Sequence, residues 1–105
     1  MIGLLAVGGT DWSANAVPSR SLTGARFSYV CPAGGVLHTV WGSDTYSDDS
    51  SICSAAVHRG LISVARGGTV KIEMRPGETA YTGTTRNGVT SVSYGSWYSS
   101  FVFVS

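Results

Sequence analysis

Apolar and polar positions alternate along most of this chain, and one stretch breaks that rhythm. Residues 26–31 set Phe27, Tyr29 and Cys31 on one face and predict a strand. Residues 36–41 predict a second strand, ended by Gly42. Residues 69–75 carry the cleanest alternation, with Val70, Ile72 and Met74 inward and Lys71, Glu73 and Arg75 outward. Residues 81–85 and 90–94 read as two strands flanking Asn87-Gly88, a dipeptide that favours a tight hairpin. Phe101, Val102, Phe103 and Val104 are apolar on both faces and predict a strand buried on both sides. Gly34-Gly35, Gly67-Gly68 and Gly95-Ser96 read as turns, and Pro76-Gly77 suits the centre of a type II turn. Residues 12–21 have no period and predict an ordered loop pinned by Trp12.

The break in the rhythm is Asp49-Ser-Ser-Ile-Cys-Ser-Ala-Ala-Val-His-Arg-Gly60. Asp49, Ser50 and Ser51 offer side-chain oxygens to the bare amides of a first helical turn, and Gly60 can take the left-handed conformation that ends a helix. Ile52, Cys53, Ala55, Ala56 and Val57 leave little bulk between those ends. Small residues let strands approach on several sides, which predicts a central buried post and not an amphipathic surface helix. The expected fold is therefore a single α+β domain, with irregular antiparallel β-sheets wrapped around one central α-helix. Residues 12–105 make the domain, and residues 1–11 form an arm or edge strand. Leu4 and Leu5 in that arm call for burial on the domain's own sheet edge or on a neighbouring copy.

Composition narrows the function. The chain has 105 residues, enough for one modest core, and it is 43% hydrophobic and 12% charged with a net charge of +1. That balance argues against a nucleic-acid partner. The apolar run at residues 2–7 is far short of a membrane span and lacks the basic flank and cleavage site of a signal peptide. Either an export signal has been removed or the protein reaches its destination without one, as in a virus particle released by lysis. Cys31 and Cys53, an even pair in a small, low-charge, Ser/Thr-rich domain, favour one disulfide over two buried thiols.

A set of motifs resembles the LCCL domain family. They are Cys31-Pro-Ala-Gly, Val40-Trp-Gly-Ser-Asp-Thr-Tyr46, the whole stretch from Asp49 to Gly60, Gly67-Gly68, Tyr81-Thr-Gly, Arg86-Asn-Gly-Val89, and Trp97 with Ser100-Phe101. Trp12-Ser-Ala-Asn15 is similar to the lead-in of short bacterial-type members, which extends the resemblance to a bacterial or phage-type chain. The resemblance implies sheets around a central helix, and structural roles for Trp41, Tyr46, Ser50, Ser51, Ile52, Ala55, Ala56, His58, Gly60, Asn87, Gly88, Trp97 and Phe101. It also implies a non-catalytic module of extracellular proteins, with proteins or lipopolysaccharide as ligands. Many members carry four cysteines, including Cys-Pro-x-x-Cys. Here the second of those positions is Gly35, so Cys31 is the thiol left to partner Cys53.

Other chemistry is poorly supplied. Cys53 and His58 are five residues apart, about 140° around a helix axis at about 100° per residue, and would not face each other. Cys31, His38, Cys53 and His58 match no common zinc spacing. Asp44, Asp48 and Asp49 crowd one loop, without the oxygen spacing of a calcium loop. No nucleophile elbow, phosphate-cradling glycine motif or catalytic carboxylate pair is present, so neither an enzyme nor a cofactor is expected. Tyr94 and Tyr98 are the rings free for contact, whereas Tyr46 and Trp97 fall in the family motif and suit the core. The expected function is a non-enzymatic module outside the cytoplasm that binds a protein, surface glycan or lipopolysaccharide, with no membrane insertion. The alternative is a virion structural protein, a capsid decoration or tail component, whose partners are identical or other virion subunits.

Overall fold

A computed structural model describes residues 11–105. The predicted arm, with Leu4 and Leu5, lies outside the described residues. The elements follow as β1 (Arg26–Cys31), β2 (Gly42–Ser43), β3 (Thr45–Ser47), α1 (Ile52–Arg59), β4 (Gly68–Pro76), β5 (Thr85–Arg86), β6 (Val89–Thr90) and β7 (Ser99–Val104), with a short 3-10 turn at Val17–Ser19. Five strands form an antiparallel sheet in the order β1-β4-β7-β3-β2, and β5 and β6 form a separate hairpin. The helix packs between this sheet and the hairpin, as the α+β expectation required.

The helix is a buried post. Ile52, Cys53, Ala55 and Ala56 have no exposed surface, and Val57 is buried beside them. Gly60 ends it at φ 87°, where a side chain would be strained. The start differs from expectation. Ser51 is the N-cap, accepting from the Ser54 amide, whereas the Asp49 carboxylate takes the Ser47 hydroxyl and Ser50 accepts from the Trp41 amide. Because Ala56 is enclosed, Ala56→Leu is expected to overpack the site and cost about 1–3 kcal/mol. A denaturant midpoint equal to wild type would show that the helix has room around it.

The strand register follows the alternation. Tyr29, Val70, Ile72, Met74, Phe101 and Tyr46 are buried on the sheet's inner face, where β4 and β7 align Ile72 with Phe103 and Met74 with Phe101. On the outer face Lys71 and Glu73 stand opposite Val104 and Val102, so β7 is not buried on both sides as its composition predicts. Phe101 is fully buried, but Val102, Phe103 and Val104 are only half-buried. Asn87 and Gly88 both take positive φ, 51° and 82°, as a two-residue type I′ hairpin requires. Gly77 does not take the left-handed conformation of the predicted type II turn. It instead permits close backbone approach, since a Cβ there would come within 2.0 Å of the Trp97 carbonyl oxygen.

Residues 36–41 do not form the predicted strand. Val36 and Leu37 are exposed, and Trp41 makes only an isolated parallel bridge to Val92. The His38 amide donates to Ser54, the Trp41 amide donates to Ser50, and the Thr39 carbonyl accepts from the Ser51 amide. The helix N-terminus thus satisfies backbone groups that a neighbouring strand would otherwise bond. Residues 81–85 and 90–94 are likewise irregular outside the short hairpin. Tyr81 and Tyr94 bridge the two segments to each other, and the Ser91 and Ser93 hydroxyls accept from the Thr84 and Gly83 amides.

Cys31 and Cys53 form the predicted disulfide, Cα to Cα 5.7 Å, joining the end of β1 to the first turn of α1. At Gly35, the position where many members carry a further cysteine, the Trp12 indole packs so closely that a Cβ would come within 2.0 Å of it. Trp12 is buried and donates to the Pro32 carbonyl at 2.7 Å, which pins the loop as expected.

Candidate functional site

The predicted site residues separate into an interior set and an exposed one. Tyr46, Ile52, Ala55, Ala56, His58 and Phe101 are fully buried. Ser50 accepts from the Trp41 amide, the Ser51 hydroxyl donates to the Trp12 carbonyl, and Trp41 and Trp97 are half-buried. Asn87 donates to the His58 carbonyl at 3.1 Å, tying the hairpin to the helix end beside Gly60. Cys53 is bridged and His58 bonds Tyr46, so the two make no thiol–imidazole pair. The bridge leaves neither thiol for a metal, and among the described residues no cluster of three potential ligands occurs.

The three aspartates that share a loop in sequence have separate tasks. Asp44 is 56% exposed and pairs with Arg86 at 2.8 Å and Arg59 at 3.3 Å. The Arg86 hydrogen bonds hold its carboxyl below the usual carboxylate range. Asp49 takes the Ser47 hydroxyl. Asp48 is fully buried at the end of β3, where its amide donates to the Ser99 carbonyl and its carbonyl accepts from the Ala16 amide.

Asp48 organises the exposed set. Arg20, carried by the turn after Val17–Ser19, grips it with two hydrogen bonds, Nε to Oδ2 at 2.7 Å and Nη2 to Oδ1 at 2.9 Å. This paired geometry gives strength and orientation together. The Asp48 hydrogen bonds also keep the guanidinium firmly in its charged form. The Trp97 indole N–H donates to Oδ1 at 2.7 Å, which fixes the ring. Tyr94 stands edge-on to Trp97 at 5.6 Å between centroids, and Tyr98 packs against Trp97 at 5.0 Å. The Arg20 guanidinium lies over Tyr98 at 4.7 Å and Trp97 at 5.5 Å, close enough for cation–π attraction. Tyr98 is 73% exposed and Tyr94 49%, so a buried anion anchors a set of rings that face outward.

Arg20 and Asp48 were not legible as a pair. They are 28 positions apart, and Asp48 looked like one more acidic residue of a loop. The available signal was Asp48 directly after the Thr-Tyr-Ser run of β3, where a buried neighbour is expected.

The architecture is that of a small disulfide-bridged α+β module, with its polar groups engaged internally and an aromatic face outside. Residues 10–101 match the model of the LCCL domain. The chain belongs to the LCCL domain family. It is 43% identical to cochlin of Cavia porcellus over 74 residues, covering 69% of this chain and 13% of that protein. It is 36% identical to vitrin of Bos taurus over 88 residues, covering 82% of this chain and 13% of that protein. Over 56 residues it is 46% identical to the human cysteine-rich secretory protein LCCL domain-containing 2, covering 53% of this chain and 11% of that protein. These relatives are animal proteins and do not bear out the bacterial or phage-type qualifier. Among the described residues no helix is long and apolar enough to cross a membrane.

Proposed function

We propose that this chain is a non-enzymatic binding module that acts outside the cytoplasm and holds a protein partner through Tyr94, Trp97, Tyr98 and Arg20. The observation that carries this reading is the outward-facing ring set clamped by the buried Asp48. Exposed rings whose positions are already fixed lose little freedom on binding. Residues 91–100 read Ser-Val-Ser-Tyr-Gly-Ser-Trp-Tyr-Ser-Ser, the Tyr, Ser and Gly mixture with a Trp anchor that serves protein-binding loops. The bridge between Cys31 and Cys53 suits an oxidising compartment, and one relative is named a secretory protein. The virion alternative draws on the segment holding Leu4 and Leu5, which lies outside the described residues, and the animal relatives lend it no support.

A photoreactive phenylalanine analogue at position 98 tests the reading, with the same group at Lys71 on the outer sheet face as control. Each chain is irradiated with an extracellular protein fraction and, separately, applied to a glycan array. Position 98 is expected to give protein adducts that Lys71 does not, and Tyr94→Ser is expected to abolish them. Serine at both exposed positions removes ring contacts with Trp97 and Arg20 and should cost about 1–2 kcal/mol while leaving the chain folded. Glycan binding that the double variant loses would transfer the face to a sugar ligand. Equal behaviour at the two positions would overturn the reading.

A further inference from the structure

The chain has two asparagines and no glutamine, and the fold places its two side-chain amides in opposite settings. Asn15 is followed by Ala16, which is fully buried and whose backbone amide donates to the Asp48 carbonyl at 2.8 Å. The Asn15 side-chain oxygen accepts from the Val17 amide at 3.0 Å. Asn87 is followed by Gly88, and both are exposed at the tip of the β5–β6 hairpin. A Cβ at Gly88 would meet nothing within 4 Å, and among the described residues no group accepts from the Gly88 amide. An asparagine side chain is attacked by the backbone nitrogen of the residue that follows it. That nitrogen is buried and hydrogen-bonded after Asn15, but unshielded after Asn87.

The Asn87 side chain also has a structural task. Its Nδ2 donates to the His58 carbonyl at 3.1 Å, at the end of α1, where the last carbonyls have no partner within the helix. A Cβ at Gly60 would lie 3.3 Å from the same nitrogen, so the side chain rests against the helix cap. One side-chain amide therefore clips the hairpin tip to the helix end.

We propose that Asn87 is a self-modification site, where deamidation releases the β5–β6 hairpin from the end of α1 irreversibly. The Gly88 backbone nitrogen, having given its proton to solvent, attacks Asn87 Cγ. A bond forms between that nitrogen and Cγ, the Cγ–Nδ2 bond breaks, and Nδ2 takes up a proton and leaves as ammonia. Water then opens the cyclic imide at either carbonyl, giving aspartate or isoaspartate. The sum is an amide and water converted to a carboxylic acid and ammonia, with solvent as the only co-reactant. In the closed hairpin the amide is bonded to His58, so the reaction follows opening of the clip. That opening is local, because β5 and β6 pair through only two residues each.

Either product loses the donor. Aspartate, ionised at neutral pH, sets acceptor oxygens against an acceptor carbonyl at the negative end of the helix dipole. Isoaspartate also routes the main chain through the former side-chain methylene, which lengthens the two-residue turn that holds Arg86 opposite Val89. The cations near this junction are Arg59 and Arg86. Both bond Asp44, so a new carboxylate would have to draw one of them away. The six-residue registers of β1 with β4 and of β4 with β7, and the disulfide, hold the rest of the domain, so the release stays at the hairpin. The site does not depend on the contact face proposed above.

Peptide mapping by mass spectrometry of the whole folded chain, held at neutral pH and physiological temperature, tests the site. Conversion is expected at position 87, as separable aspartate and isoaspartate peptides, and not at Asn15. Denaturant should raise the rate at position 87, because the clip is then always open. Asn87→Asp supplies one product directly. In amide hydrogen exchange its Thr84 and Ser91 amides, which bond across the hairpin, should lose about tenfold protection relative to β4, the joint effect of a lost bond and a misplaced charge. Should that variant fail to fold, the converted fraction of aged wild-type chain, separated by ion exchange, gives the same comparison. A folded chain that keeps its Asn87 amide while the denatured chain loses it would overturn the site. So would conversion of Asn15 at an equal rate, or a converted hairpin as well protected as the original.

Discussion

Removing the Cys31–Cys53 bridge is expected to lower stability by about 3 kcal/mol, one of the largest single effects in this chain. The bridge closes a loop of 22 positions, and the chain-entropy estimate for a loop of that length is about 3 kcal/mol. The loop is one that needs the constraint. Residues 36–41 have no strand partner along their length and are held by Ser50, Ser51 and Ser54 at the helix start. Without the bridge, the helix start and the end of β1 separate more readily, and those serine contacts are lost together. For a domain of this size the loss corresponds to about 10–20 °C in melting midpoint. Thermal and denaturant melts with and without reductant, together with the Cys31→Ala/Cys53→Ala double variant, measure it. Unchanged midpoints, or two alkylatable thiols in the unreduced native protein, would contradict the structure.

Arg20→Ala is expected to cost about 2–3 kcal/mol and to disorder the aromatic face. The substitution strands the Asp48 carboxylate in the interior with the Trp97 N–H as its remaining side-chain donor. Breaking a fully buried ion pair from one side costs about 3–5 kcal/mol. The Arg20 side chain is 33% exposed, so water admitted at its place lowers the figure. Arg20→Lys restores the charge but not the two parallel hydrogen bonds, and should recover only part of the loss. Trp97 fluorescence and the near-ultraviolet circular dichroism of the Tyr94, Trp97 and Tyr98 cluster give a readout beside the melt. A midpoint within about 0.5 kcal/mol of wild type, the range of an ordinary surface substitution, would mean that Asp48 does not need its guanidinium.

Both predictions reach contacts that differ in how visible they are from the chain alone. The disulfide follows from counting two cysteines in a composition suited to an oxidising compartment. The clamp does not, since Arg20, Asp48 and Trp97 come from three separate segments. Tyr94 and Tyr98 are legible as free rings because they fall outside the family motif, but nothing local places both against Trp97.

What the chain determined by itself is short-range. The alternation at residues 69–75 sets the faces of β4 because successive side chains must point to opposite sides of a strand. Asn87-Gly88 sets its hairpin because both residues tolerate positive φ, and Gly60 ends the helix for a similar reason. Small residues at Ala55 and Ala56 make a helix that strands can approach closely. The tertiary structure decided the rest, because long-range partners supply what local pattern leaves open. Residues 36–41 have strand-forming composition, yet the His38 and Trp41 amides and the Thr39 carbonyl meet the Ser50, Ser51 and Ser54 end of α1, and only the end of the segment bridges to Val92. Residues 101–104 of β7 are apolar on both sides, yet they lie in an open sheet where Phe101 alone of the four is fully enclosed. Asp48 is buried because Arg20, 28 positions away, and Trp97, 49 positions away, satisfy its carboxylate, and a charge in the interior is tolerable only once such partners have been brought to it.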